Sequence, residues 1–388
     1  MWRTIVEQAR QCSGWTDYYR RFGIDLAAVT TEADFARLPV LKKSDLPQLQ
    51  KERPPFGQLV VANRVMRIFV SPGPIYDPQG PGEDFWHFAP LLRRIGVGPD
   101  DIVQNTFSYH LSPAGFMFDA AALAVGAKVV PAGVGNTAVQ IEVMRDLQVT
   151  TYAGTPSFLL ILLKAAEEKG WRVGHELALQ KAVFTADKVT DEMDRFFRER
   201  GIAYIDAYGT AELGCVAYRL PGEEGYTLMD DVYVQICNPE SGEEVPDSEI
   251  GELVISRVSD VYPLIRLGTG DLSRWVERGR RIAGVLGRVG DSYKVKGMFV
   301  YAHQLREAMA QIPEVAYFQA VITHEQGQDQ LTVHVELREP GTVSDAVLAD
   351  WTERVQNVIR VKPLWRIVPA GSISREEKQL VDARGGVL

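Results

Sequence analysis

From Val65 onward, short apolar runs alternate with helix-length amphipathic stretches. The runs fall at Ile102-Val103, Lys128-Val129-Val130, Thr151-Tyr152-Ala153, Ala182-Val183-Phe184 and Tyr204-Ile205. This alternation predicts βαβ units and a parallel sheet covered on both faces. Residues up to about Arg53 read as short helices, with Thr31 and Ser44 as expected N-caps. Between Tyr226 and Ile282 the period shortens towards two, as in Gly251-Glu252-Leu253-Val254-Ile255-Ser256. Hairpins and a smaller antiparallel or barrel-like subdomain are expected there. Beyond Gly287 the pattern predicts helices near 304–309 and 345–359 and strands near 315–322, 331–336 and 365–367. The fold class is therefore α/β: a large N-terminal domain over 1–286, with parallel-sheet and β-rich subdomains, and a small C-terminal α+β domain over 287–388.

At 388 residues the chain can bury a sizeable core, and its 46% apolar and 24% charged residues are those of a globular protein. A formal charge of −9 argues against a nucleic-acid surface, which needs clustered cations. Cys12, Cys215 and Cys237 are too few and scattered for a disulfide framework or a zinc site. Charges fall too early after Met1 for a signal peptide, and the apolar run 158–163 is too short to span a bilayer. A cytoplasmic protein without membrane association is expected, with a homodimer among its expected assemblies.

Candidate chemistry concentrates in three segments. Asp206-Ala207-Tyr208-Gly209-Thr210-Ala211-Glu212 follows an apparent short strand, and Gly209 is expected to turn the chain just beyond its end. Such a turn offers an aromatic face, hydroxyl and amide donors, and a carboxylate for magnesium. An ordinary strand-to-loop turn with an exposed glutamate fits that segment equally well. Arg266-Leu267-Gly268-Thr269-Gly270-Asp271-Leu272 places an aspartate after two glycines, suited to a ribose diol. Gly287-Arg288-Val289-Gly290-Asp291-Ser292-Tyr293-Lys294-Val295-Lys296-Gly297 joins glycines to a cationic cluster.

In this order and spacing, the three segments resemble the adenylate-forming enzymes, the superfamily of acyl-CoA synthetases. The stretches 105–110, 130–137 and 155–158 are similar to the phenylacetate–CoA ligase branch, and the resemblance runs from about Trp15 to Asp382. It implies ATP, Mg²⁺ and a small carboxylic acid, with coenzyme A as co-substrate. The acid attacks the α-phosphate of ATP, and the thiol of coenzyme A then displaces AMP. It further implies that Tyr208, Gly209 and Thr210 line the nucleotide with Tyr208 against adenine, that Glu212 holds the metal, and that Asp271 takes the ribose hydroxyls. Thr185 and Ala186 stand where relatives lay backbone along adenine, although a surface turn fits them as well. Arg288 would reach the nucleotide, with Gly290 as hinge of a mobile small domain. Lys378 would bridge carboxylate and phosphate, although a plain exposed helix lysine also fits it. His110 would shape the acyl pocket, and Tyr109, Phe116 and Phe158 would supply its walls for an aromatic acid, although core positions fit those three as well. Many relatives carry extra cysteines between the ribose and arginine motifs. Here 273–278 has none, so no structural zinc is expected.

One segment departs from the pattern. Relatives wrap the β- and γ-phosphates in serine, threonine and glycine ending in lysine. The matching stretch here is Ser71-Pro72-Gly73-Pro74-Ile75-Tyr76-Asp77-Pro78. Ser71 and Gly73 remain, but three prolines remove amide donors and Asp77 adds a repelling charge. The first expectation is an ATP-dependent aryl-acid–CoA ligase. Two others stand beside it: an acyl-adenylating enzyme with a carrier-protein or amine acceptor, and a binding-only homologue.

Overall fold

The structure is a computed structural model describing residues 1–71, 74–290, 292–295, 298–325 and 328–384. Gly73 of the phosphate-loop segment lies outside these residues. The chain divides into two compact units, Met1–Gly284 and Val285–Leu388.

The first unit is built on a nine-stranded sheet among the described residues. Its parallel part runs Ala203–Thr210, Lys181–Phe184, Thr151–Gly154, Ile102–Asn105, Lys128–Pro131, each paired in register with its neighbour. These are the alternating apolar runs of the sequence, and all but the edge strand Lys128–Pro131 are mostly buried, as in a sheet covered by its connecting helices. Helix Pro156–Glu168 starts cleanly because Thr155 accepts the Phe158 amide and proline occupies its first turn. Helix Asp191–Glu199 starts on Thr190, with Asp191, Glu192 and Asp194 against the positive end of its dipole. From Ile102–Asn105 the chain first adds Lys128–Pro131 on one side, then Thr151–Gly154 on the other. The carboxyl end of Ile102–Asn105 is thus a topological switch point, where open α/β sheets take ligands.

Two expectations are corrected. Asp206–Thr210 is not a turn beyond a short strand, because the strand runs through to Thr210 and returns antiparallel as Gly214–Arg219. The reversing glycine is Gly214, at φ +66°, whereas a Cβ on Gly209 would meet the Gly214 carbonyl at 2.4 Å. Gly209 is therefore needed for a close approach at a β-bulge. Thr31 caps helix Glu32–Ala36 in a capping box with Asp34. Ser44 caps nothing. It sits inside the 3₁₀ turn Lys43–Asp45, and helix Leu46–Glu52 starts from Asp45.

A second sheet in the first unit pairs Val232–Cys237, Gly251–Arg257 and Leu264–Ser273 antiparallel. The two-residue strand Leu41–Lys42 adds in parallel beside Leu267–Gly268. The sequence pattern near Leu41 is too short to announce a strand. This pairing carries the N-terminal segment to the ribose-motif strand.

In the second unit, Val315–Glu325 and Gln328–Leu337 form a long antiparallel pair, flanked in parallel by Leu380–Asp382 and Leu364–Val368. Helices Ala302–Ala310 and Asp345–Ile359 cover a core that includes Leu305, Phe318, Val333 and Trp351.

Candidate active site

The ribose motif is built by hydrogen bonds to its own backbone. The buried Glu252 carboxylate accepts the Gly270 amide at 2.9 Å, and Gly270 takes φ +79°. Thr269 Oγ1 donates to the Leu253 carbonyl and accepts the Asp271 amide at 3.1 Å. Asp271 is buried, and the Tyr208 hydroxyl donates to its Oδ2 at 2.9 Å. Tyr208 is itself buried, and burial first, then the Asp271 charge, push its phenol well above the usual tyrosine range. The aromatic motif and the ribose motif, 63 residues apart, thus form one side-chain pair.

Beyond Lys181–Phe184, Thr185 donates to the Ala207 carbonyl at 2.8 Å and Ala186 takes φ +69°. A non-glycine residue in that left-handed region costs roughly 1–3 kcal/mol, so the turn is held there by its surroundings. Thr210 accepts the Leu213 amide at 3.2 Å, which shapes the turn that carries Glu212.

Glu212 is buried, but it faces a cation that sequence reasoning missed. Lys43 Nζ stands 2.8 Å from Glu212 Oε1 and 3.1 Å from Oε2, aligned as a hydrogen bond only to Oε2. Strand Leu41–Lys42 delivers this lysine. Gln50 holds the next helix in place by exchanging two hydrogen bonds, each 2.8 Å, with the Tyr76 backbone. No spacing rule could have found a partner 169 residues away.

Tyr76 belongs to the hairpin Arg67–Ser71 and Ile75–Gln79, the departing phosphate segment. Its Asp77 is fully buried, with neither carboxylate oxygen hydrogen-bonded in good geometry. Burial first, and then the Glu212 charge, raise the Asp77 carboxyl to about 8, against smaller opposing effects of the Ser71 hydroxyl and Lys43. Magnesium is the metal implied at Glu212. Buried carboxylate oxygens that lack a full set of donors are suitable hard ligands for it. Among the described residues, no group of three or more His, Cys, Asp or Glu could hold a metal ion.

The acyl candidates only partly converge. Tyr109 and His110 line a pocket of about 540 Å³ with Ser108, Pro131, Gly133 and Val134, at the carboxyl ends of Ile102–Asn105 and Lys128–Pro131. The Tyr109 hydroxyl accepts from Asn105 at 2.8 Å and donates to Asp119 at 3.1 Å, and its ring meets Phe116 edge-on. Phe158 stands apart from that lining and borders the core around Tyr152 and Leu159.

In the second unit, Arg288 is exposed, and Gly290, at φ +92°, accepts from Lys378 Nζ at 3.4 Å. Lys378 lies on the loop before strand Leu380–Asp382, so the helical alternative for it is corrected. The loop is tied down by a residue the motif search missed. Buried Glu336 accepts the Ile373 amide at 2.8 Å and Arg375 Nη2 at 2.7 Å. Gln319 donates to the Lys378 carbonyl at 3.2 Å.

A parallel sheet with the Tyr208–Asp271 pair at its carboxyl end, and a separate small α+β unit, define a two-unit α/β protein class. The model of AMP-binding enzymes matches residues 86–259, and that of the AMP-binding enzyme C-terminal domain matches 297–384, most of the chain between them. The chain belongs to this adenylate-forming family. It is 28% identical over 373 residues to the phenylacetate-coenzyme A ligase of Pseudomonas putida, covering 90% of this chain and 84% of that one. To the phenylacetate-coenzyme A ligase of Escherichia coli K12 it is also 28% identical, covering 93% of this chain and 88% of the other. An open conformation of 2-hydroxyisobutyryl-CoA ligase, solved with 2-HIB-AMP and CoA, superposes with a TM-score of 0.82 at 23% identity, over 97% of this chain and 90% of that one. Among the described residues, no helix is long and apolar enough to cross a membrane.

Proposed function

We propose that this chain is an ATP-dependent acid–thiol ligase, which activates a small carboxylic acid as its acyl-adenylate and passes the acyl group to coenzyme A. The observation that carries the reading is the Tyr208–Asp271 pair at the end of the parallel sheet, in a chain whose relatives over most of its length are phenylacetate-coenzyme A ligases. Asp271 takes the ribose hydroxyls and Tyr208 orients it. The backbone of Thr185 and Ala186 borders the base with Gly209 and Thr210, and the pocket at Tyr109 and His110 takes an aromatic acid. Magnesium at Glu212, when bound, neutralises charge that gathers on the phosphates. Lys43 supplies the second cation beside the phosphates, a role the hairpin cannot fill without a lysine. Arg288 and Lys378 act from the small unit, with Gly290 as the pivot. ATP and coenzyme A as substrates are consistent with a cytoplasmic location.

Pyrophosphate release and thioester formation, measured over aryl and aliphatic acids with and without coenzyme A, test this. Turnover with an aryl acid and coenzyme A is expected. Pyrophosphate release without any thioester redirects the acyl group to a carrier protein or an amine. AMP binding with no pyrophosphate from any acid establishes instead a binding-only homologue, the reading favoured by a phosphate segment that has no lysine and carries Asp77.

A further inference from the structure

The pocket beside Tyr109 and His110 has two walls, and one strand holds both. Gln104 and Asn105 end strand Ile102–Asn105, and both are fully buried. Successive strand residues point to opposite faces of a sheet, so the two amides reach different neighbours. Asn105 Nδ2 donates to the Tyr109 hydroxyl and to the Gly115 carbonyl, each at 2.8 Å, and the Asn105 carbonyl accepts the Gly133 amide at 3.0 Å. Gln104 Nε2 donates to Gln140 Oε1 at 2.9 Å. Gln140, 3% exposed in helix Thr137–Asp146, donates in turn from its single amide nitrogen to the Gly133 and Gly135 carbonyls, each at 2.8 Å.

Those two carbonyls flank Val134. Gly133, Gly135 and Asn136 take φ of +67°, +74° and +55°, so the loop runs through three left-handed residues and is held in that shape by the latch. Gly133 and Val134 line the pocket, and Val134 is 70% exposed. An apolar side chain fixed in water at the lip of a cavity is stabilised when another apolar group covers it.

The latch is a poor stabiliser in its own right. Two carbonyl acceptors fix which end of the Gln140 amide is nitrogen, so its oxygen faces Gln104. Gln104 must then present its own nitrogen, and its Oε1 is buried with no donor among the described residues. A pair of this kind can be exchanged for apolar side chains with little loss of stability. Gly135 is exposed and Gly133 half-buried, so water can replace the latch at their carbonyls.

We infer that Val134 is a specificity-determining residue for the acyl group, with Gln104 and Gln140 as its positioning residues, and that the wall they set selects a carboxylic acid whose far end is an uncharged aromatic ring. The inference rests on the reading of this pocket as the site of the acid. The Tyr109 hydroxyl is committed to Asn105 and Asp119, so its ring is the surface left for the substrate, and Val134 covers the far end. An acid with a second charge there would have to desolvate it against Val134 without a partner.

Calorimetry on the full chain with two non-hydrolysable acyl-adenylate analogues, phenylacetyl- and acetyl-sulfamoyladenosine, tests this. Wild type should favour the phenylacetyl analogue on the order of 10–100-fold, the range over which an apolar pocket discriminates. Val134→Asp should lower that ratio about tenfold, because the ring then meets a hydrated charge. The double variant Gln104→Leu/Gln140→Leu should lower the ratio too, while melting no lower than wild type. No preference in the wild type, or an unchanged ratio in Val134→Asp, overturns the specificity role. A double variant that melts lower and loses both analogues equally makes the pair structural and overturns its positioning role. Should the double variant fail to fold, Gln140→Met decides: a lowered ratio supports the positioning role and an unchanged one overturns it. Binding needs no turnover. Wild type that discriminates between the analogues but releases no pyrophosphate from any acid therefore overturns the ligase reading alone. Turnover to the thioester with an unchanged ratio in Val134→Asp overturns this inference alone.

Discussion

The Tyr208 hydroxyl donates a 2.9 Å hydrogen bond to Asp271 Oδ2, joining the end of the parallel sheet to the ribose-motif strand. Both side chains are buried, so neither is reoriented by solvent. Tyr208→Phe removes one donor from a buried carboxylate, which costs about 1–3 kcal/mol when the partner is left under-satisfied. The expected outcome is a lower melting temperature and weaker AMP binding by calorimetry, with little change in the affinity for free acid. AMP affinity equal to wild type would place the ribose elsewhere.

The Lys43–Glu212 pair predicts a separable effect on triphosphate. The hairpin from Ser71 to Asp77 offers no cation, so AMP or an acyl-adenylate mimic should bind at least as well as ATP. Lys43→Met should weaken ATP binding about tenfold or more, the scale of one charge-assisted contact, and leave AMP nearly unchanged. Calorimetry with both nucleotides checks this. Much tighter ATP than AMP binding in the wild type contradicts it.

The parallel sheet and the small α+β unit were legible because their apolar runs are local signals of the right period. Helix Asp345–Ile359 emerges where the pattern placed it. The site was legible in its motifs but not in its pairings. Glu212 announced a metal carboxylate, yet its partner Lys43 reaches it through a two-residue strand with no periodicity to read. Asp77 showed only as a repelling charge, because burial beside Glu212 is a tertiary fact. Gly209 misled for a related reason, since a glycine required for close approach and one required for a turn look alike in sequence.

Acid should loosen the small unit through Glu336. The Ile373 amide first, and also the Gly371 amide and Arg375, hold its carboxyl below its ordinary value of 4.5. A depressed carboxylate contributes stability that is present above 4.5 and lost as the pH falls through its folded value. Glu336→Gln should flatten this part of the acid-unfolding curve below 4.5. Hydrogen exchange at Ile373 in the full chain is the local readout, and unchanged protection in the variant would remove Glu336 from the account.

All three thiols are buried, and burial pushes Cys12 and Cys237 up to about 11 and Cys215 further still. A neutral buried thiol is a poor nucleophile. Native protein at pH 8 should therefore react slowly with a disulfide reagent, and denatured protein should release three equivalents at once. A fast native equivalent would show that one of these cores opens readily.

Lys378 separates an adenylating enzyme from a binding module. It stands on the loop fixed by Glu336 and Gln319, close to the Gly290 carbonyl, and it is exposed. If it reaches the reacting carboxylate and phosphate, Lys378→Ala removes a cation that stabilises charge only during adenylation. The expected loss in pyrophosphate release is on the order of 10²–10³, typical of one preorganised electrostatic group. Thioester formation from preformed acyl-adenylate should change far less, because no charge then gathers at phosphorus through attack by the acid. Stopped-flow measurement of the two half-reactions on one preparation makes the comparison. Equal loss in both would make Lys378 a structural residue of the loop, acting through Gly290 and not on the substrate.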